Sequence, residues 1–92
     1  MSETVSRTLQ IINERGLHAR ASRKFVETTR RFDADIKVSH SGETVDGSSI
    51  MDLMMLAASK GCSIDVTANG PQAEDVMDAL DELLTDRFGE EN

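Results

Sequence analysis

Polar and apolar residues alternate over positions 4–12. Val5, Leu9 and Ile11 fall on one side, and Ser6, Thr8 and Gln10 on the other. Such a period of two predicts a strand with one buried face, interrupted on its apolar side by Arg7. Asn13-Glu14-Arg15-Gly16 reads as a loop. The period then lengthens over residues 19–31, with Ala19, Ser22, Val26 and Thr29-Arg30 near one stripe and Phe25 beside it, which predicts a helix. Ile36 and Val38 share a face of a second strand, the turn residues Ser41-Gly42 follow, and a short third strand spans Glu43–Asp46. Ser49 is a good N-cap for a helix from Ile50 to about Ser59, with Asp52 three residues later and Lys60-Gly61 as the stop. Cys62, Ile64, Val66 and Ala68 alternate again and predict a fourth strand. After Asn69-Gly70, a last helix takes Pro71 into its first turn and carries the stripe Ala73, Val76, Met77, Leu80, Leu83 and Leu84. The tail from Gly89 to Asn92 is expected to fray.

The predicted order is therefore β-α-β-β-α-β-α. Four strands with one buried face and three amphipathic helices predict an α+β domain, an open-faced two-layer sandwich. Its four-stranded antiparallel sheet would carry the three helices on one face, and residues 1–92 would form a single domain.

Composition narrows the function. The formal net charge of −7 leaves no net-basic surface to neutralise phosphates, which argues against nucleic acid. The three Phe residues are the only aromatics apart from histidine, so the core must be mostly aliphatic. One cysteine cannot form an internal disulfide, in keeping with a reducing cytoplasm. The first residues lack the features of a signal peptide, and no apolar run is long enough to span a bilayer. A monomer that contacts proteins, not membranes, is expected.

The most informative stretch is Arg15-Gly16-Leu17-His18-Ala19-Arg20. It sets His18 between a glycine turn and a helix start. A helix N-terminus offers unpaired N–H groups and the positive end of the helix dipole, so it favours an anion. A histidine there can carry a phosphoryl group on a ring nitrogen, with the backbone N–H groups of Ala19 and Ala21 and the Arg20 guanidinium holding the charge. A solvated helix-capping histidine is the plain alternative. His40, at a strand end with no helix start and no adjacent arginine, reads as an ordinary surface residue. Neither histidine has the partners of a zinc site, and no metal or cofactor is expected.

The Ser49 helix holds too many apolar residues for one stripe. Leu53, Leu56 and Ala57 are assigned to the core, while Met51, Met54, Met55 and Ala58 point elsewhere. A flexible, polarizable methionine patch suits docking on several partners. A deeply buried helix is the competing reading. Ser49 is either a plain cap or a phosphorylation site, since a phosphate is tolerated at a helix start.

Gly16-Leu17-His18-Ala19-Arg20, together with Ser49-Ile50-Met51 and its Met-rich continuation, closely resembles HPr, the histidine-containing phosphocarrier family of the phosphoenolpyruvate-dependent phosphotransferase system. The likeness covers about residues 5–88. It implies that His18 is the phosphoryl acceptor, Arg20 the active-site arginine and Ser49 the serine that an HPr kinase/phosphorylase modifies in some members. It also implies enzyme I as donor and an enzyme IIA protein as acceptor, with no enzymatic turnover by the carrier itself. Leu17, Ile50, Met51, Met54 and Met55 would form the contact surface, and Arg23 and Lys24 its basic rim. Phe32-Asp33-Ala34-Asp35, Met54-Met55-Leu56 and Thr67-Ala68-Asn69-Gly70-Pro71-Gln72 look most like the nitrogen-related branch, NPr. The family usually has proline where this chain has Ala21. A regulatory binding module of the same fold, and an unrelated small α+β domain, are the rival readings.

Overall fold

The computed structural model describes residues 3–90. Strands β1 (Glu3–Gln10), β2 (Asp35–His40), β3 (Glu43–Asp46) and β4 (Ser63–Gly70) form one antiparallel sheet in the order β1-β4-β2-β3. Helices α1 (Ala19–Thr29), α2 (Ile50–Met55) and α3 (Ala73–Thr85) complete the expected order, and a short 3₁₀ turn at Arg87–Gly89 follows α3. The open-faced α+β sandwich is as the patterning predicts.

The sheet order follows from strand composition. Strand β4 is central because Ile64, Val66 and Ala68 are fully buried on one face. Its register sets Leu9 against Ile64 and Val66 against Val38, so the apolar sets of three strands meet on the helix side. Phe25 and Val26 of α1 and Val76, Met77 and Leu80 of α3 close that core. The other face is polar, with side-chain hydrogen bonds from Thr8 to Asp65 and between Ser6 and Thr67. Arg7, the polar interruption on the apolar side of β1, reaches Asp78 at 2.8 Å and Glu74 at 3.1 Å on α3. An edge position lets its charge stay partly wet. Ser41 and Gly42 both have positive φ and form the two-residue hairpin loop between His40 and Glu43.

Four local expectations need correction. Helix α2 ends at Met55, not near Ser59, because Ala57 turns left-handed at φ 54°. That early stop exchanges two side chains: Ala58 is buried and Ala57 exposed, the reverse of the helical phasing. Pro71 lies before the α3 N-cap, Gln72, and not in the first turn. The tail is not frayed at Gly89 and Glu90. Phe88 is buried, and the Lys24 ammonium donates to its carbonyl at 2.5 Å. Glu91 and Asn92 of the expected frayed tail lie outside the described residues.

The loop before α1 and the loop after α2 are pressed together. The Leu17 N–H donates to the Ala58 carbonyl at 2.9 Å. Gly16, at φ 65°, lies so close that a Cβ there would sit 2.4 Å from the same oxygen. Gly16→Ala combines a left-handed backbone with a backbone clash, so it should cost about 2–4 kcal/mol. Urea denaturation checks this, and a loss below ~0.5 kcal/mol would show that the two loops part easily.

Candidate functional site

His18 is the N-cap of α1, extended at φ −76° and ψ −179°. Its backbone is fixed from both sides. The His18 N–H donates to the Gly16 carbonyl, and the His18 carbonyl accepts the first α1 bond from Ser22 N–H at 2.9 Å. The buried Ser22 hydroxyl donates to the Leu17 carbonyl at 3.2 Å. These bonds leave the imidazole partly exposed, at 23% for its side chain.

The two ring nitrogens have different partners. Nδ1 accepts from the Arg20 backbone N–H at 3.3 Å. Nε2 lies 2.7 Å from Oε2 of Glu90. An ionised carboxylate only accepts, so this network assigns the ring proton to Nε2 and leaves Nδ1 unprotonated, its lone pair facing the Arg20 N–H. The lone pair sits over the first turn of α1, where N–H groups lack helical partners. An anion brought to Nδ1 would meet donors there.

Glu90 is half-buried and is held by more than the histidine. Asn13 Nδ2 donates to the same Oε2 at 2.7 Å and to the Gly16 carbonyl at 2.9 Å. Burial pushes the Glu90 carboxyl up, but the hydrogen bonds from His18, Asn13 and the Arg15 backbone outweigh it and hold the carboxyl below its usual range. Asn13 is fully buried, and its Oδ1 has no hydrogen-bond partner among the described residues.

The other expected site residues divide. Ala19 and Arg20 are exposed in the first turn of α1, and Ala21 is buried. Among the described residues the Arg20 guanidinium makes no ion pair, so it is free to fold toward an anion. Arg23 is exposed and only loosely paired, 3.9 Å from Glu27. Lys24 is half-buried and holds the Phe88 carbonyl, so it is a tail anchor and not a free rim charge. Leu17 is also corrected. It is 4% exposed and belongs to the core, because its N–H bond to Ala58 draws it inward. The methionines are exposed as the patch reading expects: Met51 at 73%, Met54 at 42% and Met55 at 74%, with Ile50 half-buried beside them. The bond from Leu17 to Ala58 brings this helix next to the His18 loop.

Ser49 is the α2 N-cap and accepts from the Asp52 N–H at 3.2 Å. The capping box is half made, since the Ser49 N–H donates instead to the Asp46 carbonyl. His40 contacts the Ser63 carbonyl and the Ser41 hydroxyl, away from any helix start. A hydrogen bond from Ser59 lowers the Cys62 thiol from its ordinary value. Among the described residues no three His, Cys, Asp or Glu side chains are grouped to hold a metal, and no helix is long and apolar enough to cross a membrane.

Sequence reasoning missed Asn13, Glu90 and the Arg20 N–H. One signal for the tail exists: Phe88 lies four residues after Leu84 and extends the apolar stripe of α3. For Asn13, a polar residue in a loop, no comparable signal exists.

The chain is similar along most of its length to known proteins. The family model for the PTS HPr component phosphorylation site matches residues 5–86. The phosphocarrier protein HPr of Cupriavidus necator is 44% identical over 86 residues, covering 94% of this chain and 97% of that one. The phosphocarrier protein NPr of Escherichia coli is 36% identical over 89 residues, covering 96% and 99%. The crystal structure of HPr from Thermoanaerobacter tengcongensis superposes with a TM-score of 0.91 at 36% identity, covering 96% of this chain and 99% of that one. With its helix-capping histidine, its antiparallel open-faced sheet and these relatives, the chain belongs to the HPr family of phosphocarrier proteins of the phosphotransferase system, which carry a phosphoryl group in a relay and are not enzymes.

Proposed function

We propose that His18 accepts a phosphoryl group on Nδ1 from phosphorylated enzyme I and passes it to a histidine of an enzyme IIA protein. The observation that carries this reading is the unprotonated Nδ1 over the first-turn N–H groups of α1, with the ring proton held on the opposite nitrogen. In the first step the Nδ1–P bond forms as the P–N bond to the donor breaks. The second step runs the same exchange outward. Little covalent help is needed; positioning and charge neutralisation suffice. Arg20 and the N–H groups of Ala19, Arg20 and Ala21 would supply the neutralisation. Alanine at position 21 keeps an N–H that proline would lack.

Docking is assigned to Ile50, Met51, Met54 and Met55, with Arg20 and Arg23 as the basic charges beside them. A carrier must leave each partner quickly, and a small apolar patch with few fixed ion pairs suits a transient interface. A phosphate on Ser49, as an HPr kinase/phosphorylase would add, would place about two negative charges at the base of this patch and weaken docking. The relay is assigned to the cytoplasm, on a lone cysteine that has no partner for an internal disulfide and on the nature of its partners. For the branch, segments such as Thr67–Gln72 favour the nitrogen-related one, while curated relatives of higher identity carry the HPr name. Both kinds of IIA protein therefore belong in the test.

Incubation with enzyme I and phosphoenolpyruvate should give acid-labile label on the wild type and none on His18→Ala. Label that persists in the variant would move the chemistry to another residue. Arg20→Ala should slow acceptance about tenfold or more, because a charge-assisted contact to the transferring group is lost. Stopped-time labelling reads that rate, and an unchanged rate removes Arg20 from the site. Met51→Asp and Ser49→Asp should each raise the KM for IIA about tenfold at little cost in kcat. An equal fall in kcat with KM unmoved would place these residues in the transfer step and not in docking.

A further inference from the structure

The tail that reaches back to His18 is built, not incidental. Arg87, Phe88 and Gly89 are left-handed in succession, with φ of 55°, 55° and 76°. Side chains at Arg87 and Phe88 make that backbone unfavourable, so it persists only where packing dictates it. Phe88 is buried, and Lys24 holds its carbonyl. Beyond this anchor Glu90 enters the site with its side chain only 13% exposed. It is met there by Asn13, a fully buried amide that also ties down the Gly16 carbonyl.

We propose that Glu90 is a positioning residue that keeps the proton on His18 Nε2 through both transfers, with Asn13 holding the carboxylate and the Phe88 anchor delivering it. The proposal rests on the carrier reading above. When Nδ1 takes the phosphoryl group its lone pair enters the new bond, and no proton needs to leave. The ring becomes cationic with its hydrogen still on Nε2, and the Glu90 carboxylate faces that charge at hydrogen-bond distance. On transfer to the acceptor, the Nδ1–P bond breaks, the pair returns to Nδ1, and the ring leaves as neutral imidazole. If the Nε2 proton were lost, the leaving group would be an imidazolate anion, a far poorer one. A carboxylate at Nε2 therefore keeps the phosphoryl group ready to leave.

Glu90 comes from the tail; Arg20 and Lys24 come from α1, and Lys24 is engaged with Phe88. From the preceding loop, Arg15 turns its backbone toward Glu90, and Glu14 is paired with Lys60. On α2, which packs against α1, Asp52 is the charged residue and lies at the Ser49 cap, and the exposed large side chains are methionines. Glu90 is thus the carboxylate on Nε2 among the described residues.

The test uses the full chain in wild-type, Glu90→Gln, Glu90→Ala and Phe88→Ala forms. Nitrogen-15 NMR of the unphosphorylated ring reads which nitrogen holds the proton and needs no donor. The wild type should show Nε2–H, and Glu90→Ala should gain the Nδ1–H form. The chains are then phosphorylated chemically with phosphoramidate, and loss of the group is followed against pH. Phosphorylated Glu90→Gln keeps an acceptor but no charge. It should lose the labile form at lower pH than wild type and be about fivefold longer-lived near pH 8. Phe88→Ala should shift the profile the same way by withdrawing the tail. Wild-type tautomer and an unchanged pH profile in Glu90→Gln and Glu90→Ala would overturn the proposal while leaving the carrier reading intact. Failure of the wild type to take phosphoryl from enzyme I would sink the carrier reading, and the NMR arm would still decide what Glu90 does.

Discussion

Two loops touch where almost nothing but bare backbone fits. Gly16 lies against the Ala58 carbonyl, and the next residue, Leu17, donates its N–H to that same oxygen. This contact joins two elements that are far apart in sequence. On one side is the histidine at the head of α1; on the other is the short methionine helix. Leu17 is drawn into the core by the bond, so the ring of His18, its neighbour, is turned outward at the junction. A β-carbon on residue 16 would push the His18 loop away from the methionine helix.

The electrostatics follow the same division. The chain as a whole is acidic, yet the helix that begins at His18 is basic. Negative charge elsewhere is spent internally or left to solvent: Glu74, Asp78 and Asp81 gather around Arg7. The His18 end of the molecule therefore carries a local positive field on an otherwise acidic chain. Lys24 stands apart, because its ammonium serves the fold at the Phe88 carbonyl and not the partner surface.

Much of this was legible in the sequence, and the limits have physical causes. Strand β4 could be read because Ile64, Val66 and Ala68 alternate strictly, and α3 because its stripe holds the helical period throughout. His18 stood out because a helix start beside a glycine turn is a local feature. What failed was non-local or conformational. Leu17 reads as an exposed loop tip until its bond to Ala58, more than forty residues later, is known. Ala57 and Ala58 exchange places because one left-handed residue ends α2 early, which periodicity cannot foresee. Glu90 was invisible for the same reason: its partner lies 72 residues away, and a charged residue near a chain end looks like solvent-exposed tail.

The placement of the tail has a consequence for modular architecture. Strand β1 begins opposite Gly70, which packs on the Asp33–Ala34 turn beyond the C-terminal end of α1, whereas Glu90 finishes beside the N-terminal end of that helix. The two ends of the described fold therefore open at opposite poles. A domain fused ahead of β1 would hang clear of His18, with both partners still able to approach. A domain fused directly after Glu90 would start beside the imidazole and crowd it. Fusions of this fold should accept cargo at the front of the chain far more readily than at the back.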